Sequence, residues 1–109
     1  MKFDMNKMLQ EAQRMQAELA KAQEEAASEV VEASAGGGMV TVKANGAGEV
    51  LSIAIDPRAI DPDDPELLAD MVLAAVNEAL RSGRALMESK MSGLVPGGLG
   101  GIEGLLPGS

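Results

Sequence analysis

The side chains that usually carry out chemistry are few in this 109-residue chain. It has no Cys and no His, so thiol nucleophiles, disulfides, imidazole bases and the usual zinc ligands are excluded together. Ser28, Ser34, Ser52, Ser82, Ser89 and Ser92 have no imidazole to activate them, and none sits in a nucleophile elbow. Lys43 has the chemistry of a Schiff-base lysine, but its place in an alternating stretch reads as an exposed strand residue. Asp61, Asp63, Asp64 and Glu66 crowd six positions like a metal site. Two prolines among them and the lack of EF-hand spacing fit a helix cap better. Gly36-Gly37-Gly38 suggests a phosphate cradle, yet no Lys-Ser or Lys-Thr follows at the required spacing, so a turn is the better reading. No catalytic constellation, metal site or cofactor site is expected, and the chain reads as non-enzymatic.

The cations are more suggestive. Lys7, Arg14 and Lys21 recur every seven residues and so line one stripe of a helix, beside a parallel acidic row of Glu11, Glu18 and Glu25. Arg81, Arg84 and Lys90 lie toward the end of a second helix, where positive charge also suits the helix dipole. Net charge is −8, which by itself disfavours a polyanionic partner. Phe3 is the only aromatic, so recognition by base stacking is nearly excluded.

Positioning these residues falls to two helices and a small sheet. Asp4 is placed to cap a helix running to about Ala27. Its apolar residues, Met5, Met8, Ala12, Met15, Leu19, Ala22 and Ala26, follow steps of three and four. That seam suits either packing on the chain's own sheet or a two-helix coiled seam. Ser28–Ser34, Met39–Ala44 and Glu49–Ile55 read as three strands of an antiparallel meander. Asn45-Gly46 is a hairpin signal in which both residues tolerate positive φ, and Gly48 suits a bulge. Leu51, Ile53 and Ile55 share one face, which the helices are expected to cover. The opposite face, with Thr41, Ser52 and Ala54, suits solvent or a second subunit. Asp64 and Pro65 open a second helix to about Met91, with Leu68, Met71, Val72, Ala75, Val76, Ala79 and Leu80 as its apolar stripe. Gly83 weakens it by about 1 kcal/mol relative to Ala.

The expected fold is therefore α+β, an α-β-β-β-α protomer in one domain over residues 1–91. Residues 92–109 read as a flexible Gly/Pro/Leu-rich tail. The polar start is unlike a signal peptide, and no apolar run approaches the roughly 20 residues of a membrane span. A cytoplasmic, membrane-free setting is expected. So is a homodimer, because a chain this short buries only a modest core.

Several stretches together resemble the YbaB/EbfC family of bacterial nucleoid-associated DNA-binding proteins. They are Met8-Leu9-Gln10-Glu11-Ala12-Gln13-Arg14-Met15-Gln16, Gly38-Met39-Val40-Thr41-Val42, Asn45-Gly46, Val50–Ile55 with Asp56-Pro57, and Asp70–Ala79. The resemblance implies a tweezer-like homodimer of protomers with two long helices. It also implies largely non-specific binding of duplex DNA, a nucleoid location, and roles in chromosome organisation and gene regulation. It associates DNA contacts with the helices, which makes Lys2, Lys7, Arg14, Lys21, Arg81, Arg84 and Lys90 the candidates here. The acidic balance keeps an alternative in view: a dimeric protein–protein scaffold, linked to recombination repair, with little direct DNA contact.

Overall fold

A computed structural model describes residues 4–94. Helix α1 spans Met5–Ser28, and strands β1 (Val30–Ala35), β2 (Val40–Asn45) and β3 (Val50–Ile55) follow. One 3-10 turn, Pro57–Ala59, leads to helix α2, Pro65–Ser92. Each boundary has a local cause. The Asp4 carboxylate accepts from the Lys7 amide, and the Asp64 carboxylate accepts from the Leu67 amide ahead of a helix that begins on Pro65. Asp61 accepts from the Asp63 amide, so the acidic loop satisfies its own backbone.

The sheet order is β1-β2-β3, antiparallel throughout. Gly36, Gly37 and Gly38 all have positive φ and turn the chain between β1 and β2. The connection from β2 to β3 differs from the expected hairpin. Asn45 belongs to β2, pairs with Val30, and has no positive φ; that conformation falls on Gly48. The Asn45 side-chain oxygen instead accepts from the amides of Ala47 and Glu49, folding a loop around itself. The register shift sits where Lys43 faces Ser52 and Ala44 faces Val50, which places the bulge at Leu51 rather than at Gly48.

α2 lies across β1 and β2, and Ala75 and Ala79 pack on Ala33, Val40, Val42 and Ala44. Small residues on both sides let the layers approach closely. The core is correspondingly thin, with Val40 and Val42 its largest fully buried side chains.

Two expectations about coverage are corrected. α2 alone covers the sheet, and it stops short of β3. Ile53 and Ile55 pair with Val42 and Val40 and therefore share their face, yet Ile53 stays 47 % exposed. With Leu51 and Val50 they form an uncovered apolar shelf beside α2. α1 packs mainly on α2 rather than on the sheet, and only its last turns do so: Ala22 and Ala26 are buried, whereas residues 5–18 are all exposed.

The two helices leave the sheet at the same end. Met71 of α2 sits beside Gly36 and Gly83 sits beside Asn45, so roughly 18 Å of helix crosses the length of a six-residue strand. Beyond Gly83, α2 continues past the sheet alongside α1. The principal extents, 76 × 34 × 16 Å, reflect this projecting arm.

Candidate nucleic-acid interface

The arm explains how an acidic chain presents cations. Helix α1, Met5–Ser28, holds three cations and four carboxylates, a net charge of only −1. Residues 56–70 hold six carboxylates and one arginine, a net charge of −5. That acidic segment lies at the Gly36 end of the sheet, where α2 begins, and the arm projects from the opposite end. The most acidic segment thus lies at the opposite end of the long axis from the arm.

Lys7, Arg14 and Lys21 are exposed on one side of α1. Spacing of seven residues sets them about 10 Å apart along the helix axis. Lys7 and Arg14 border a shallow depression with Gln10 and Glu11. Among the described residues, the ion pairs are Arg58–Asp56, Arg81–Glu78 and Lys90 with Glu25 and Glu29. The helical neighbours Lys7–Glu11 and Arg14–Glu18 therefore do not close, and all three α1 cations remain open to a ligand.

The α2 candidates divide. Lys90 reaches across to α1, with its amine 2.5 Å from Glu29 and 3.7 Å from Glu25. The hydrogen bond to Glu29 raises the Lys90 pKa above its ordinary value, and Lys90 acts as a brace between helices. Arg81 is held by Glu78 at 2.7 Å but stays exposed, and Arg84 is exposed. Both lie off the Gly83–Lys90 edge that meets α1, since they are rotated by roughly 200° and 100° from Gly83. They do not join the α1 row in one patch. Lys2 lies outside the described residues.

Two further cations, which the sequence reading did not take as DNA contacts, are placed plainly. Arg58 is forked onto Asp56, and its donors hold the Asp56 carboxyl below the usual carboxylate value. Lys43 is exposed on the sheet face away from α2.

What orients the arm is a backbone junction. The Gly46 amide donates to the Ala26 carbonyl at 2.8 Å, and Gly46 is buried between α1 and α2. A Cβ at Gly46 would stand 2.6 Å from the Ala26 oxygen. A Cβ at Gly83 would collide with the Asn45 carbonyl. In the sequence Gly83 is only a weak point in a helix. The pattern Asn45-Gly46 was visible, but nothing local indicated that both glycines serve the same contact.

The model of the YbaB/EbfC DNA-binding family matches residues 1–99. The chain belongs to the YbaB/EbfC DNA-binding family. Curated relatives agree. A nucleoid-associated protein of Saccharopolyspora erythraea is 49 % identical over 102 residues, covering 94 % of this chain and 87 % of that one. A nucleoid-associated protein of Streptomyces avermitilis is 50 % identical over 103 residues, with 94 % and 91 % covered. A solved structure of an uncharacterized protein from Helicobacter pylori shares the fold described here. Its TM-score is 0.67 at 24 % identity, with 77 % of this chain and 88 % of that chain covered. Among the described residues no helix is long and apolar enough to cross a membrane.

Proposed function

We propose that this YbaB/EbfC protein is a nucleoid-associated protein that binds duplex DNA as a homodimer, largely without sequence preference. Phosphate contacts from Lys7, Arg14 and Lys21 carry the binding, with Arg84 and Arg81 as secondary contacts. The observation behind this reading is the row of open cations on one side of a nearly neutral helix, at the opposite end of the molecule from its most acidic segment. Phosphate contacts position a protein without reading bases, and among the described residues the arm carries no aromatic side chain for stacking. A role in chromosome organisation and gene regulation fits a protein that coats DNA in this way.

The homodimer is supported by the uncovered shelf of Val50, Leu51, Ile53 and Ile55. A thin core and an exposed apolar patch at the sheet edge together favour a second copy as cover. Two protomers then present two arms, the arrangement of a clamp.

The test is a salt-dependent titration of random-sequence duplexes. Six phosphates neutralised by the α1 rows of a dimer would give a slope of log K against log salt near about −5. Replacing Lys7, Arg14 and Lys21 with Gln should flatten that slope and weaken binding to every sequence alike. No retardation of any duplex at low salt would overturn the proposal and favour the adaptor reading.

A further inference from the structure

The arm has a second face, turned away from the basic row. Met5, Met8, Leu9 and Met15 are between 38 % and 66 % exposed. Met5, Met8 and Leu9 line a shallow apolar trough with Ala12. Farther along the same seam, Ala22 and Ala26 are buried where α1 packs on α2. Among the described residues the seam therefore has cover at one end and none at the other. On a helix turning 100° per residue, Lys7, Arg14 and Lys21 lie roughly 150° around α1 from the stripe. Methionine makes such a stripe adaptable, because its unbranched side chain repacks against partners of different shape.

The edges of the stripe specify what fits it. Glu11 and Glu18 border it on the Met8–Met15 side, roughly 100° from its centre, and Gln13 and Gln16 border the other side. All four are exposed. Among the described residues neither glutamate is in an ion pair. The stripe is thus an apolar seam with one acidic edge and one neutral edge, a surface shaped for a second helix. Another copy of α1 complements it poorly. In an antiparallel pair the two Glu11–Glu18 edges would face each other, and in a parallel pair Glu11 would face Gln16. The first arrangement sets like charges together, and the second leaves the glutamates without an opposite charge. A helix with Lys or Arg along one edge supplies that charge.

We infer that the Met5–Met15 stripe is a docking site for an amphipathic helix of another protein, one whose apolar seam is bordered by lysine or arginine. The apolar seam of that helix covers Met5, Met8, Leu9 and Met15, and its cations pair with Glu11 and Glu18. The inference stands apart from DNA binding, since it uses none of the α1 cations. Because the basic row lies on the far side of the arm, a docked helix leaves it open.

The probe is a synthetic helical peptide with Leu along its seam, Lys along one edge and Gln elsewhere; a sister peptide carries Glu in place of Lys. Full-length protein labelled with 13C at the methionine methyls reports the binding. The Lys peptide should shift the Met5, Met8 and Met15 methyls and leave Met39 and Met71 at the sheet unmoved. The Glu peptide should bind about tenfold more weakly, because two exposed pairs change from attraction to repulsion. Glu11→Lys combined with Glu18→Lys should reverse that preference. Asp63→Lys combined with Asp70→Lys makes the same charge change at exposed positions in the acidic segment, far from the arm, and should preserve it. Loss of the preference in both double variants would overturn the inference, because overall charge would then explain it. Equal binding of the two peptides, or no selective shift of the stripe methyls, would also overturn it. So would stripe methyls that shift on dilution of the protein alone, a result that assigns the stripe to a second copy.

Discussion

Gly83 of α2 lies directly against the backbone carbonyl of Asn45 at the end of β2, with no room for a Cβ between them. Next to that contact, the Gly46 amide donates to the carbonyl of Ala26 in α1. Three elements therefore meet through main chain, and the arm's direction is set there.

Gly83→Ala isolates this contact. Alanine favours a helix interior by about 1 kcal/mol over glycine, so propensity alone predicts a gain. The collision with Asn45 predicts instead a net loss of about 1–3 kcal/mol, the usual range for overpacking. Thermal unfolding decides the sign, and a raised Tm would refute the packing role.

Asn45→Ala removes a buried acceptor for the amides of Ala47 and Glu49, two exposed residues of the loop. A loss of about 0.5–1.5 kcal/mol per hydrogen bond is expected, since the freed amides lie at exposed residues and can turn to water. Chemical denaturation measures it, and amide exchange at Ala47 and Glu49 should quicken in step.

Lys90→Met separates bracing from DNA binding. The salt slope of DNA binding should stay as in the parent, while thermal stability falls. The pH dependence has a definite sign. Contact with Glu29 raises the Lys90 pKa above 10.5, so its stabilisation is fully present below that value and is lost as pH rises through the higher folded value. The stability gap between parent and variant should therefore close at alkaline pH. At the acid end Asp56 behaves oppositely: its pKa is lowered from 3.8 by Arg58, so its contribution is present above 3.8 and disappears as pH falls through the lower folded value.

Ile53→Glu tests the shelf. Ile53 is exposed within the protomer, so the variant should keep its far-ultraviolet spectrum. Light scattering should report a single-chain mass for the variant and a two-chain mass for the parent. An unchanged two-chain mass would place the dimer contact elsewhere.

Much of the architecture was legible along the chain because it rests on local physics. Asp4 and Asp64 announce helix starts through amides they alone can satisfy, and Gly36–Gly38 announce a turn through positive φ. The alternation of Val40, Val42 and Ala44, and the stripe from Leu68 to Leu80, identify the two faces that meet in the core. The heptad spacing of Lys7, Arg14 and Lys21 likewise defines one basic row before any folding is considered. Membership of the YbaB/EbfC family was readable from the same stretches.

Contacts between distant segments decided the rest. Gly83 looks like a flaw in a helix until Asn45, 38 positions earlier, is brought against it. Lys90 looks like any cation near a helix end until Glu25 of α1 and Glu29, just past its end, are brought against it. Exposure of β3 depends on how far α2 reaches across the sheet, and exposure of Met5 to Met15 depends on where α2 ends. A periodic apolar pattern states which face seeks cover, but only the packed chain determines whether that cover is present. The −8 total hides the same distinction, because the fold alone sets the basic row of α1 at the opposite end from the acidic loop.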